Sequence, residues 1–286
     1  MSAAQRNMTQ SAFSKRIRSL ETWLGTELVD RRTFPASLTA AGDEFRDVAR
    51  STLNAINSER GRLQASYSVE QPELRILGAT TLLMLFAPQW LAEIKQVCGD
   101  FSASLKTQNF YTMVQALGDR EVDLVLQYAH PSLPSLYDKN RFYSLVLAHE
   151  RLVPVSAAKN GTPVFNLGAM GVCDIPMLRY SRDGFLNRVE DLIFQRNQLD
   201  KRDCLQVLES PTSEVLKNCV LMGQGVAWLP LSTAKGGLEV GTLALAGGPE
   251  WAEDLEVRAY GLKEQDSKLT ARIWRHIEAV SFSAKS

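Results

Sequence analysis

The residues best suited to chemistry in this chain cluster near its start. They are Gln10, Ser11, Ser14, Lys15 and Arg18. Short hydroxyl and amide groups beside long cations can hydrogen-bond base edges and neutralise phosphates. At about 100° per residue, Ser11, Ser14, Lys15 and Arg18 share one face, with Thr22, of a predicted helix starting at Thr9, and Gln10 lies in its first turn. Phe13, Ile17, Leu20 and Leu24 share the other, apolar face. Thr9 can cap the N-terminus, and Gly25 can end the helix in a left-handed conformation. A rod anchored by one side and cationic on the other fits a DNA major groove.

The flanking residues extend this pattern. Ala3-Ala4-Gln5-Arg6-Asn7 reads as the end of an earlier helix, and Asn7-Met8-Thr9 as a tight connection. Together they predict a helix-turn-helix. Leu28 to Leu38 reads as two short extended pieces around a Pro35-bearing turn, with Arg31 and Arg32 near its tip. Such a wing can reach a phosphate backbone. The whole chain carries no net charge, yet residues 1–35 hold six cationic groups against three acidic ones. A small cationic patch on a balanced chain suits a localised phosphate footprint.

Bond-making chemistry finds little support. HExxH, GxSxG and P-loop patterns are absent, and His130, His149 and His276 lie far apart in sequence. The reading is of a protein that is not an enzyme and needs no cofactor or metal. Cys98, Cys173, Cys204 and Cys219 lack metal-type spacing and fit reduced thiols. A redox pair is the alternative, with Cys204 and Cys219 nearest in sequence. No signal peptide follows Met1, and the apolar run from Leu82 to Pro88 is too short to span a bilayer. A soluble, cytoplasmic protein without membrane contact is expected.

The elements that position these groups follow from periodicity. Thr39 can cap a long helix running to about Ser66, with Ala41, Phe45, Val48, Thr52, Ile56 and Leu63 as one apolar stripe. Ser66 to Pro72 reads as a hinge. Strands and helices then alternate, which predicts a parallel sheet wrapped by helices. Strands are expected at 74–79, 101–108 and 122–128, with one or two more over 142–155. Helices are expected at 80–97 and 112–117. A second unit has strands at 176–180, 205–208 and 226–229, with helices at 184–197 and 213–222. A late strand at 256–262 and a helix at 268–280 close the chain.

The run from Ala3 to Gly42 resembles the winged helix-turn-helix of LysR-type transcriptional regulators. Thr9-Gln10-Ser11-Ala12, Ser14-Lys15-Arg16-Ile17-Arg18, Leu20-Glu21, Leu24-Gly25, Asp30-Arg31 and Leu38-Thr39 with Ala41-Gly42 carry the likeness. Gly223-Gln224-Gly225-Val226-Ala227-Trp228-Leu229-Pro230 extends it toward the C-terminus. The resemblance implies a truncated winged helix-turn-helix over 1–38 and a linker or dimerisation helix and hinge over 39–68. It implies a periplasmic-binding-protein-like α/β effector domain over 69–286. Lobe I would take 69–153 and 236–286, and lobe II 154–235. Double-stranded DNA, a small-molecule effector and self-association as a dimer or tetramer are the implied partners. Leu178-Arg179-Tyr180-Ser181-Arg182 and Ser213-Glu214-Val215-Leu216-Lys217 resemble the hypochlorite-responsive subset. That likeness adds Met84, Met113, Met177, Met222 and the cysteines as candidate oxidation points.

In the family another helix precedes the Ala3-Ala4 segment. Its absence would leave part of the Phe13, Ile17 and Leu20 face in water, at about 25 cal/mol per Å². The chain starting at Met1 is therefore expected to bind DNA poorly. An effector should sit at the carboxyl ends of the strands, where helix N-termini offer free N–H groups. Those loops carry Thr80, Thr81, Asn109, Tyr128, His130, Tyr180, Ser181, Ser210 and Thr212. Thr81 and Thr212 could equally be helix caps, and His130 a loop residue. Facing hydroxyls suggest a small polar or anionic effector.

Overall fold

The computed structural model describes residues 10–32, 36–49, 52–53, 56, 73–168, 172–264 and 267–283. The predicted helix at 3–7, the turn before it ends at Thr9, and the wing tip at 33–35 lie outside those residues. So does most of the predicted helix beyond 49 and the hinge at 66–72. The chain separates into two compact units, 1–67 and 68–286.

In the first unit, α1 (Gln10–Leu24) ends at Gly25, which takes φ +72° as the glycine there predicts. A two-residue hairpin of β1 (Val29–Asp30) and β2 (Ser37–Leu38) forms the wing. A helix, α2, covers residues 40–49. Thr39 caps it: its Oγ accepts from the Gly42 N–H at 3.0 Å and donates to the Glu27 carbonyl. Gly42 packs directly on the Leu28 carbonyl, where any Cβ would collide.

The second unit is built on a mixed sheet. Its strands are β3 (Glu73–Gly78), β4 (Ser102–Lys106), β5 (Leu124–Ala129) and β6 (Phe142–Lys159). A two-residue β7 (Thr162–Pro163) hooks back onto the end of β6. Two parallel strands, β8 (Met177–Tyr180) and β9 (Gln206–Ser210), form a separate small sheet. The large sheet is completed by β10 (Ala227–Pro230), β11 (Leu243–Leu245) and β12 (Glu253–Leu262), in the order β10-β6-β12-β5-β3-β4.

The expected all-parallel sheet is corrected here. Within the large sheet only β3 with β4 and β5 pair parallel; β12 and β6 run antiparallel to their neighbours. Alternation of strand and helix holds only while each crossover contains a helix. The strand β12 breaks the rule by entering between β5 and β6 and running opposite to both, so β6 keeps the sense of β5 one place further along the sheet. The region 142–155 holds one long strand, which pairs with β12 along its first part and with β10 and β11 along its last.

Helices cover both faces. They are α3 (Ala87–Cys98), α4 (Phe110–Gly118), α5 (Phe185–Arg196), α6 (Ser213–Leu221), α7 (Leu231–Glu239) and α8 (Lys268–Ser283). The helix expected at 80–97 is present, but Leu82–Phe86 winds as a wider π turn. The sequence reading missed α7, whose two adjacent glycines mask its period. Strand residues alternate between two cores. Leu74, Ile76, Leu124 and Leu126 enter the larger one, while Leu77 and Val125 enter the smaller one with Met113 and Tyr137. Trp228 is 1% exposed and donates its Nε1–H to the Trp251 carbonyl at 2.7 Å. Gly225 lies against the Pro176 carbonyl, leaving no room for a Cβ.

Candidate nucleic-acid interface and effector cleft

On α1, Lys15 and Arg18 are exposed, and Ser14 is half-buried. Gln10 and Ser11 lie in the first turn of the same helix. Phe13, Ile17, Leu20 and Leu24 are each half-buried, so the apolar face is only partly covered. The helix therefore presents its cations to solvent as its periodicity demands.

The wing is held by a residue that the sequence reading overlooked. Glu21 is 8% exposed and lies at the end of the apolar face. Its carboxylate accepts from the Leu28 and Val29 N–H groups at 3.0 and 3.1 Å. It also accepts from Arg31 Nη2 at 2.7 Å. That bond, more than any other effect, holds the Glu21 pKa below its ordinary value, and the two backbone donors add to it. Arg31, expected on the DNA backbone, is thus bound inward to α1. Arg32 is exposed and pairs with Asp30 two residues away, at 3.1 Å. The signal that could have identified Glu21 is its position: the only acid on an otherwise apolar and basic helix.

In the second unit the predicted effector residues divide into two groups. Thr81, Tyr128 and Tyr180 come together with Ser213, Glu214 and Glu150. Thr81 Oγ reaches Glu214 Oε2 at 3.4 Å, although 133 positions separate them. Tyr180 hydroxyl and Ser213 Oγ are 2.7 Å apart. The Tyr128 hydroxyl and Glu214 Oε1 are buried without a hydrogen-bond partner. Burial raises both tyrosine pKa values well above normal, and the negative charges of Glu150 and Glu214 push further in that direction. Both phenols therefore stay protonated at physiological pH.

Most of the other candidates are seen in contacts within the fold. Asn109 is exposed and caps α4, accepting from Thr112 N–H at 2.8 Å and from its hydroxyl. His130 faces Glu253 at 3.1 Å through Nε2 and accepts from Ser132 N–H through Nδ1. Ser210 is buried and accepts from the Thr212 N–H at 3.2 Å. Thr212 occupies the N-cap position of α6 without a side-chain cap bond. Ser181 donates its N–H to the Ser210 carbonyl, and Thr80 is half-buried beside Thr81.

Sequence reasoning missed Glu150, Ser213 and Glu214. Ser213 and Glu214 follow the N-cap of α6, where a carboxylate suits the helix dipole and gives no other hint. Glu150 sits in mid-strand, and only folding brings it near the tyrosines. Among the described residues, no group of three His, Cys, Asp or Glu side chains is arranged to hold a metal. No described helix is long and apolar enough to cross a membrane.

Comparison with known proteins defines the class. A family described as "Bacterial regulatory helix-turn-helix protein, lysR family" matches residues 2–43. A second, "LysR substrate binding domain", matches residues 68–281. The chain belongs to the LysR family of transcriptional regulators. It is 26% identical to the HTH-type transcriptional regulator YjiE of Escherichia coli K12, over 96% of this chain and 87% of that one. The structure of Vibrio fischeri DarR in complex with DNA matches with a TM-score of 0.60 and 27% identity, covering 96% and 91% of the two chains. Full-length HypT from Salmonella typhimurium, a hypochlorite-specific LysR-type regulator, matches with a TM-score of 0.62 and 25% identity, covering 98% and 92%.

Proposed function

We propose that this LysR-type transcriptional regulator reads double-stranded DNA with one face of α1. Gln10, Ser11, Ser14, Lys15 and Arg18 contact bases and nearby phosphates. Arg32 reaches the backbone, and Arg31 orients the wing that carries it. The observation behind this reading is the exposure of Lys15 and Arg18 opposite the half-buried Phe13, Ile17 and Leu20. The protein acts in the cytoplasm, self-associates and catalyses no reaction. Its effector region divides into lobes at about 154 and 236, with β6 crossing between them where its partner changes from β12 to β10.

The effector binds beside Thr81, Tyr128, Tyr180 and Glu214. Two carboxylates next to buried phenols disfavour a bare anion. They suit a small polar molecule that donates hydrogen bonds to Glu214 and accepts one from Tyr128. The test is fluorescence anisotropy with DNA from the gene's own upstream region and with random DNA. Arg18→Ala should weaken specific binding by about 1–3 kcal/mol. Equal losses on both DNAs would refute base reading by this face.

A second reading rests on the partly exposed Phe13, Ile17 and Leu20. The chain then binds DNA weakly alone and acts through its effector region in mixed oligomers. Nanomolar operator binding by the 286-residue chain would remove it.

A further inference from the structure

The two cysteines nearest in sequence, Cys204 and Cys219, are not the pair that the fold brings together. Cys173 lies in the short 3-10 turn Val172–Asp174 that leads into β8. Cys204 follows the turn Lys201–Asp203 that leads into β9. The chains are already joined at this point. Leu205 N–H donates to the Cys173 carbonyl at 3.0 Å, and Met177 N–H donates to the Leu205 carbonyl at 2.8 Å. The Cys173 thiol lies close enough to the Cys204 thiol to help raise its pKa. Cys204, the residue before Leu205, is thereby held beside Cys173. A disulfide needs Cα atoms about 4.4–6.8 Å apart, a reach that asks for neighbouring backbones of this kind.

We propose that Cys173 and Cys204 form a reversible intramolecular disulfide when the protein meets a hydroperoxide. The surroundings assign the two sulfurs different parts. Cys173 is half-buried and Cys204 is buried. Burial, followed by the neighbouring Cys173, pushes the Cys204 thiol up to about 12. Cys204 is therefore held as a thiol, and Cys173 is the sulfur that attacks. In the first step the Cys173 thiolate displaces hydroxide from hydrogen peroxide and becomes a sulfenic acid. In the second, Cys204 sulfur displaces that hydroxyl, its own proton leaving with it as water. One peroxide is reduced to two water equivalents, and two thiols become one disulfide. Cys204 also lines a cavity of about 640 Å³ whose wall includes Arg179, Phe194 and Arg202. The bridge would lock the entry to β8 onto the entry to β9.

The test uses the reduced full chain, hydrogen peroxide and N-ethylmaleimide. The four free thiols should fall to two labelled ones, with loss of two hydrogens by intact mass. Trypsin places the four cysteines in separate peptides, and the linked pair should be residues 160–179 with 203–217. Dithiothreitol should restore four labels. Cys204→Ser should let Cys173 continue to sulfinic acid, and Cys173→Ser should leave Cys204 reduced. Four labels after oxidation, a link through Cys98 or Cys219, or sulfinic acid at Cys173 in the unaltered chain would overturn the proposal. The unaltered chain decides the matter even if a serine variant fails to fold.

Discussion

The two units of this regulator are stabilised by different means. Among the described residues of 10–49, Leu28 is the one buried hydrophobic side chain. The unit takes its shape from polar pins: Glu21 on the wing and Thr39 on α2. In the effector unit, strands buried on both faces join tryptophans and aliphatic side chains in two cores. Hydrophobic burial scales with area, whereas each polar pin depends on one geometry. The DNA-facing unit should therefore be sensitive to single polar changes and to pH, and the effector unit to lost volume.

The largest effect should come from the effector core. Trp228→Ala leaves a hole beside Phe194 and Trp251 and leaves the Trp251 carbonyl without its donor. A loss of about 3–5 kcal/mol is expected, read by chemical denaturation of the effector unit. A loss under 1 kcal/mol would mean that the core relaxes far more than this packing implies.

Next comes Glu21→Ala, which strands two backbone N–H groups and releases Arg31. About 1–3 kcal/mol should be lost from the N-terminal unit, with faster hydrogen exchange at Leu28 and Val29. The pH dependence follows from the lowered Glu21 pKa. A carboxylate with a depressed folded-state pKa contributes stability above its unfolded value, and that stability disappears as pH falls through the folded value. Exchange at Leu28 and Val29 should rise in acid below the ordinary carboxylate range in the unaltered protein. In Glu21→Ala this acid-dependent rise should be missing; its persistence would reassign the pin.

A smaller effect concerns the cleft. Glu214→Gln keeps the shape near Thr81 but removes the charge. Any effector found by thermal shift with the unaltered chain should lose most of its stabilisation in this variant, because a bound ligand stabilises by mass action. An unchanged shift would place the ligand elsewhere. Smallest of all is Arg32→Ala. It should leave stability unchanged, since the Asp30 pair is solvent-screened. It should lower the salt slope of DNA binding by about one.

How much could be read beforehand depended on how local the cause was. The α1 helix, its Gly25 end and the Thr39 cap were readable because each rests on residues within a turn of one another. The apolar runs at β3, β5 and β10 announced buried strands. Asn109 and His130 stayed ambiguous because loop position at a strand end is shared by ligand-binding and structural residues. Only the partners, Thr112 for one and Glu253 for the other, distinguish them. Glu21 was missed because its three bonds reach seven to ten residues ahead.

Sequence alone established the family and the faces of its helices, since periodicity and short-range spacing are written along the chain. Strand direction was a different matter: β12, late in the chain, inserts between β5 and β6 and runs against both, and no residue type records that. The juxtapositions of Thr81 with Glu214, Tyr180 with Ser213 and Cys173 with Cys204 also waited for the tertiary fold. Contacts across dozens of residues depend on which strands become neighbours, and that choice is made by the packing of the whole sheet.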